Sequence, residues 1–224
     1  MKTLKTIIIT FLMFAGFNAY ALPIIATSGS DFTVDYDAIG GDPVVSVDGL
    51  SASVRYYDFA FIYFMDTDYT GVSFNFDVTN NSTDPILTSR ISTLGFNTTP
   101  DLAYAGSHVD GIYAVIDDGN VPNQGVVDFC FTDVNCAGGG GGGVNIGETA
   151  AGSAWLLFAG EFAEISFDDF TVRYQDVTCD SSFTGNCPNS ASGSATTTVP
   201  EPDIVALLAI GLLGIGFSRR RLRA

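Results

Sequence analysis

The chain has 224 residues, and its 25 Asp and Glu outnumber its 9 Lys and Arg to give a formal net charge of −16. Six of the basic residues lie in the first five or the last six positions, so residues 22–202 hold 3 Arg against 24 Asp and Glu, a net charge of −21. Such a surface repels nucleic acid and anionic lipid, whereas divalent cations and neutral polysaccharide are admissible partners. Solubility alone is an equally ordinary reason for an acidic surface.

The first 21 residues have the parts of a secretory signal peptide. Two lysines precede an apolar run over residues 7–17, and Ala19 and Ala21 form the small-x-small pattern that signal peptidase recognises. We therefore predict cleavage after Ala21, so that the mature chain begins at Leu22. The alternative, a retained N-terminal anchor, requires a longer apolar run than this one.

Residues 22–187 are predicted to form one β-rich domain. Three stretches alternate apolar and polar side chains with the period of two that half-buried strands show. Their apolar positions are Leu50, Ala52, Val54 and Tyr56, then Val72, Phe74, Phe76 and Val78, and finally Phe170, Val172 and Tyr174. The third stretch is close to the end of the domain and is predicted to close a sheet.

Less regular apolar runs lie between these stretches, separated by clusters of Gly, Asn, Asp and Pro that favour turns. The runs span residues 59–65, 112–116, 126–131, 154–159 and 162–167. About eight short strands rich in Val, Phe, Tyr and Thr predict an all-β fold, a single antiparallel β-sandwich or jelly-roll-like domain in which two sheets bury their apolar faces.

All four cysteines, Cys130, Cys136, Cys179 and Cys187, belong to the predicted exported body. An oxidising compartment favours disulfides there. Three connectivities are open, and we favour Cys130 with Cys136 and Cys179 with Cys187 because each pair brackets a short loop. Zinc is disfavoured, since the spacings differ from those of common ligand pairs and His108 is the only histidine.

Two segments are predicted to be flexible. Six consecutive glycines at residues 138–143 would cost a helix or packed strand conformational entropy, so they predict a mobile surface loop. Residues 188–198, rich in Ser, Thr, Ala and Gly, predict a disordered linker that follows the domain.

The remaining residues, 199–224, have the order of a membrane-held signal. A box of Val199, Pro200, Glu201 and Pro202 precedes an apolar run at residues 204–217 and a basic tail at residues 218–224. The tail contains Arg219, Arg220, Arg221 and Arg223. Proline keeps the box extended, which is the form in which proteases usually accept peptides.

The arginine tail predicts a cytoplasmic C-terminus and a body outside the cytoplasm, by the positive-inside rule. The apolar run has 14 residues, which is short for a hydrocarbon core of ~30 Å and indicates temporary residence in the inner membrane. An ordinary single-pass anchor without processing is the alternative, but it leaves the box unexplained.

This tail resembles the PEP-CTERM sorting signal of Gram-negative surface and exopolysaccharide-associated proteins. The resemblance implies processing at Pro200-Glu201-Pro202 by an exosortase-type membrane transpeptidase. Asp203 departs from the small residue that commonly follows such a box. Residues 78–97 and 170–175 resemble the cistern group of PEP-CTERM proteins, which implies a surface protein without assigned chemistry.

The candidate binding and catalytic residues of the body are polar clusters and aromatics. Hard oxygen ligands at Asp35 and Asp37, at Asp66 and Asp68, and at Asp117 and Asp118 make calcium the one cofactor to consider, although no EF-hand loop is complete. The glutamates to consider for a glycosidase are Glu148, Glu161 and Glu164. Tyr56, Tyr57, Tyr69 and Tyr104 are the predicted surface aromatics for sugar binding.

The sequence contains neither a Gly-x-Ser-x-Gly elbow nor a second histidine to support His108, so a hydrolytic triad is disfavoured. We predict an exported, non-enzymatic protein of the cell surface or exopolysaccharide matrix. Its partners in maturation are signal peptidase and an exosortase, and polysaccharide is a candidate ligand. A carbohydrate-binding module and, less favoured, a secreted glycosidase are the alternatives.

Overall fold

A computed structural model describes residues 23–37, 49–103, 106–185 and 187–195, apart from the side chains of Asp37 and Asp117. Twelve β-strands lie within these residues. They are β1 (Ile24–Thr27), β2 (Phe32–Asp37), β3 (Ser51–Phe64), β4 (Tyr69–Asn80), β5 (Ile86–Thr99), β6 (His108–Gly111), β7 (Val115–Val121), β8 (Gly125–Thr132), β9 (Val144–Asn145), β10 (Thr149–Ala159), β11 (Glu164–Cys179) and β12 (Ser190–Ser194).

The strands form two antiparallel sheets that pack as a sandwich, which confirms the predicted fold class. The seven-stranded sheet has the order β1-β11-β5-β8-β7, with β12 also beside β11 and β9 beside β5. The five-stranded sheet has the order β2-β3-β4-β10-β6. No helix of the described ranges is long and apolar enough to cross a bilayer, and the predicted span at 204–217 lies outside those ranges.

Aromatic rings from both sheets interleave in the core. Phe76 of the five-stranded sheet stacks on Phe131 of the seven-stranded sheet, with ring centroids 5.0 Å apart and planes at 2°. Tyr56 meets Phe96 edge to face at 5.9 Å, across the same interface. All four side chains are at most 1% exposed. Edge-to-face and offset pairs add to the burial of apolar area, so these rings hold the sheets together.

The strand patterns explain which faces are buried. Leu50 to Tyr56 and Val72 to Val78 bury alternate side chains as predicted. Residues 51–64 form one continuous strand that contains a bulge, with Asp58 at φ 57°. The extra residue shifts the alternation of side chains, so that Phe59 faces the core. The prediction that the 170–175 strand closes a sheet is wrong, since β11 pairs with β5 on one side and with β1 and β12 on the other.

Both locally paired disulfides are present. Cys130 and Cys136 have Cα atoms 5.7 Å apart, and Cys179 and Cys187 have Cα atoms 5.9 Å apart. The first bridge packs with Val121 and Val127 in a small apolar cluster separate from the main core. The second ties the end of β11 to the segment that enters β12. Each bridge therefore closes a short loop, and the second also packs against the main core.

The glycine run, predicted as a mobile surface loop, lies at the surface and has specific hydrogen-bond partners there. The guanidinium of Arg90 donates to the carbonyls of Gly140 and Gly142, and the Asp133 carboxylate accepts from the Gly142 amide. Arg90 also donates to Asp176 Oδ2 at 2.9 Å and to Gln175 Oε1 at 3.0 Å. A Cβ on Gly143 would lie 2.1 Å from the Ile91 carbonyl oxygen, so the close approach requires glycine.

Residues 188–198 were predicted as a disordered linker, and this is wrong for residues 190–194. They form β12, which pairs with residues 171–175 of β11. Ala191 and Ser192 are fully buried, and Arg173 donates to Ser192 Oγ at 2.8 Å and to Ser190 Oγ at 2.9 Å. Small side chains fit there because β12 lies close to the core. The described body thus reaches Ala195, and three residues lie between it and the box that begins at Val199.

Loss of a core ring is expected to destabilise the protein strongly. Phe96 is fully buried and contacts rings of both sheets, so Phe96→Ala should lower the free energy of unfolding by about 3–5 kcal/mol, from lost transfer energy and a residual cavity. Leu87, 54% exposed, supplies the control. Chemical denaturation of Leu87→Ala should stay close to wild type, and equal losses in both variants would contradict the assigned core.

Removal of the Arg90 side chain is expected to release the glycine loop. Its side chain is 10% exposed, so Arg90→Met should leave several carbonyl acceptors without their donor, at a cost of about 1–3 kcal/mol. Hydrogen exchange of the amides in residues 138–143 should become faster. Arg55→Met is the matched control, because Arg55 pairs with Asp31 on the exposed surface and surface ion pairs contribute little. Unchanged exchange in Arg90→Met would show that the loop does not depend on this side chain.

Candidate functional site

The outward face of the five-stranded sheet carries a group of apolar side chains that the core does not use. Ile62 and Phe64 come from β3, Tyr69 and Gly71 from β4, and Trp155 and Leu157 from β10. The register places Ile62 and Leu157 on either side of Gly71, and Phe64 opposite Tyr69. We call this group the Trp155 face. Ile62 is 47% exposed, and the larger side chains are partly exposed.

The indole of Trp155 lies across the backbone of β4. A Cβ added to Gly71 would lie 2.2 Å from Trp155 Cζ2 and 2.7 Å from Cη2. The absence of a side chain at Gly71 therefore makes room for the six-membered ring, and the indole in turn buries Gly71. Phe64 meets the indole edge to face, with centroids 6.2 Å apart. The indole is partly exposed, so part of the ring is available to a ligand.

Polar side chains lie beside the Trp155 face along the same sheet. Asn75 donates to Asp58 Oδ2 at 3.1 Å, and the Tyr57 hydroxyl lies 3.5 Å from Asp77 Oδ1. Loss of hydration, then the carboxylates of Asp77 and Asp58, raise the pKa of Tyr57. This hydroxyl therefore stays protonated at neutral pH and can donate a hydrogen bond.

Arg55 is the only Lys or Arg among the described residues of this face, and it already has two partners. Arg55 pairs with Asp31, with a donor distance of 3.1 Å from Nε, and its guanidinium carbon lies 4.8 Å from the Tyr57 ring centroid. The hydrogen bond to Asp31 raises the pKa of Arg55. The guanidinium is thus oriented by a carboxylate and an aromatic ring.

His108 completes this face at the edge strand β6. The register places it opposite Trp155, and Asp110 opposite Ser153. His108 Nε2 lies 3.8 Å from Asp110 Oδ2, and both side chains are largely exposed. An exposed imidazole beside a carboxylate can exchange hydrogen bonds with a polar ligand.

The predicted surface aromatics have different outcomes. Tyr56 is 1% exposed, so its prediction as a sugar-binding residue is wrong, because it occupies an inward position of β3. Tyr57 and Tyr69 lie on the outward face and are partly exposed. Tyr104 lies outside the described residues. Trp155, which the sequence analysis did not select, is the central aromatic, and its outward position follows only from the strand register.

Two of the three candidate glutamates line one groove. Glu161 and Glu164 border an open groove of about 400 Å³ together with Ile25, Phe162 and Thr99, among others. Both carboxylates are exposed. Glu148 is elsewhere, where its Oε2 accepts from the Asn145 side chain at 3.0 Å.

The aspartates considered for calcium are spread over three elements. Asp35 lies on β2 and accepts from Ser53 Oγ at 2.8 Å. Asp66 and Asp68 lie in the turn between β3 and β4, where Asp68 accepts from the Tyr63 hydroxyl at 2.9 Å. Asp117 and Asp118 lie in β7. In the described part of the chain, no three His, Cys, Asp or Glu are arranged to hold a metal ion.

Tertiary structure also brings together Asp128, Asp168 and Asp169, which the sequence does not connect. Asn97 links two of them, since it donates to Asp169 Oδ2 at 3.0 Å and accepts from the Asp128 amide at 2.9 Å. Burial, then the carboxylates of Asp169 and Asp128, raise the pKa of Asp168. The sequence signal was weak because Asp128 is forty residues away from the other two.

Replacement of Asp168 should stabilise the protein at neutral pH. Because the pKa is raised in the folded state, the ionised carboxylate costs stability. This cost is absent below the unfolded pKa of roughly 3.9 and develops as the pH rises through the folded value. Asp168→Asn should therefore raise the denaturation midpoint at pH 7 and leave it unchanged at pH 3. Asp66→Asn, in the exposed turn, is the control for the change in net charge. A midpoint for Asp168→Asn that falls at pH 7 would contradict the assigned repulsion.

Comparison with known proteins identifies the tail. A family model described as the PEP-CTERM protein-sorting motif matches residues 198–221. The match includes Val199 to Pro202 and Arg219 to Arg221, and so confirms the predicted sorting signal. The signal itself, like Ala19 and Ala21 of the predicted signal peptide, lies outside the described residues. No curated protein matches the chain, and no solved structure matches it.

Proposed function

We propose, from the premise that this chain is a PEP-CTERM protein exported and sorted through residues 198–221, that it is a non-enzymatic component of the cell surface or exopolysaccharide matrix. The matched motif carries the proposal, since the motif implies processing by an exosortase. Residues 1–21 direct export, and signal peptidase then removes them. The inner membrane then holds residues 204–217 temporarily while the body lies outside.

Properties of the body support a structural rather than a catalytic role. The four cysteines form two disulfides, so they are not available as nucleophiles. The interior between the sheets is filled by aromatic and aliphatic side chains. The strongly acidic surface keeps an extracellular domain hydrated and dispersed.

The short connection between the body and the sorting box has a mechanistic consequence. Five residue steps separate Ala195 from Pro200, and an extended chain spans at most about 3.6 Å per residue, or roughly 18 Å. The exosortase therefore acts close to the edge of the folded domain where β12 ends, if β12 stays paired. A processing enzyme with a deep active site would require β12 to detach.

Carbohydrate binding is a second candidate function, favoured by the partly exposed indole on a sheet face rich in hydrogen-bonding groups. The glycosidase alternative rests on Glu161 and Glu164, which border one surface groove.

Intact mass spectrometry of the protein from its own host tests the proposed maturation. Wild-type protein should begin at Leu22 and lack Arg219 to Arg223, whereas protein from cells without the exosortase should keep the arginine tail. Replacement of Pro200, Glu201 and Pro202 by alanine should have the same effect as loss of the enzyme, because the extended recognition box is removed. Thr197→Ala, just before the box, is the matched control and should be processed normally. Surface protein that retains Arg223 in wild-type cells would sink the proposal.

A further inference from the structure

The Trp155 face has the features of a ligand site, and we propose that it binds an uncharged polysaccharide through stacking of a pyranose ring on the Trp155 indole. This inference deepens the proposed function and rests on it for the setting, a cell surface or matrix. The site itself is argued from the described residues alone.

First, the indole of Trp155 is already positioned on the sheet without a ligand. The Trp155 indole packs in the space over Gly71, which has no side chain. It also contacts Phe64, with ring centroids 6.2 Å apart. A ring that is already packed against the sheet loses little conformational entropy when a ligand covers its remaining exposed part. The apolar C–H face of a pyranose can stack on the exposed part of an aromatic ring, and Ile62 and Tyr69 extend the apolar surface along β3 and β4.

The second step is the polar rim. Asn75 and Asp110 both lie beside Ser153 in the register, two residues along the sheet from Trp155, a distance of about 7 Å at the rise of a strand. His108 lies directly opposite Trp155. Carboxylate, amide and imidazole groups accept and donate the hydrogen bonds that sugar hydroxyls need. A few polar groups around an apolar floor are the usual composition of a small-ligand site.

The third step excludes other occupants. An apolar protein surface placed over this face would remove water from the carboxylates of Asp58, Asp77 and Asp110, which costs free energy. Asp58 and Asp77 each accept one side-chain hydrogen bond within the face, but a carboxylate has about four acceptor sites. Sugar hydroxyls supply donors to the remaining sites. An acidic polysaccharide is repelled by the same carboxylates and by the net charge of −21 over residues 22–202. Charge and polarity together thus select a neutral, hydroxyl-rich ligand.

The chain reports on this site directly, because Trp155 is its only tryptophan. The protein is isolated from its host and titrated with a soluble neutral glucan, a neutral galactomannan and, as the charged comparison, a polyuronate. At least one neutral polymer should change the tryptophan emission saturably, and the polyuronate should not.

Three variants and one control locate the binding. Affinity electrophoresis should show that Trp155→Ala weakens the affinity for the polymer by about tenfold or more, equivalent to about 1.4 kcal/mol. Trp155→Phe should keep part of the wild-type affinity. Gly71→Ala keeps the tryptophan but displaces the indole, so its affinity should fall as well. Val126→Ala, 75% exposed on the other sheet, is the control and should bind like wild type. Thermal unfolding of each variant checks that the fold is kept.

Several outcomes overturn the proposal. These are an emission spectrum that no neutral polymer changes, binding that survives Trp155→Ala, or preference for the polyuronate. Self-association that Trp155→Ala abolishes, without glycan binding, would assign the face to a protein interface instead. The masses of the same preparations report independently on export and processing, so failure of the binding site is distinguishable from failure of the proposed function.

Discussion

The structure depends on the layer of aromatic rings between the two sheets. Phe76 and Phe131 stack, Tyr56 meets Phe96 edge to face, and each pair joins one sheet to the other. Rings of this size set the spacing of the sheets and fill the interior, so inward positions tolerate little change. The outward positions are free of that constraint. This is why Trp155, on the same strand as the buried Leu156, can take a role at the surface.

A few polar side chains connect strands and loops through hydrogen bonds. Arg90 connects β5, β11 and the glycine loop, and Arg173 connects β11 to β12. Asn80, fully buried at the end of β4, donates to carbonyls of Ser89 and Val144. Because the body has only three arginines, two of them serve the fold and the third pairs with Asp31. None is left as a free positive patch, which agrees with a partner that is uncharged.

The sorting signal and the sandwich have different roles. The signal determines where the protein goes, and the folded body determines what it does on arrival. Few residues lie between Ala195, where the described body ends, and the box. The proposed exosortase step would therefore act near the end of β12 if that strand stays paired. The Trp155 face belongs to the five-stranded sheet, whereas β12 belongs to the seven-stranded sheet.

The sequence by itself determined the sorting signal, the sandwich class and the buried sides of β3 and β4, and it favoured the local pairing of cysteines that the structure contains. These features depend on local order and on periodicity, which a linear pattern records. Tertiary structure alone decided that Trp155 lies on an outward face, that residues 190–194 form a strand, and that Arg90 holds the glycine loop. It also brought Asp128 to Asp168 and Asp169. Each of these depends on strand register and on contacts between residues distant in the chain, and no local pattern encodes such contacts.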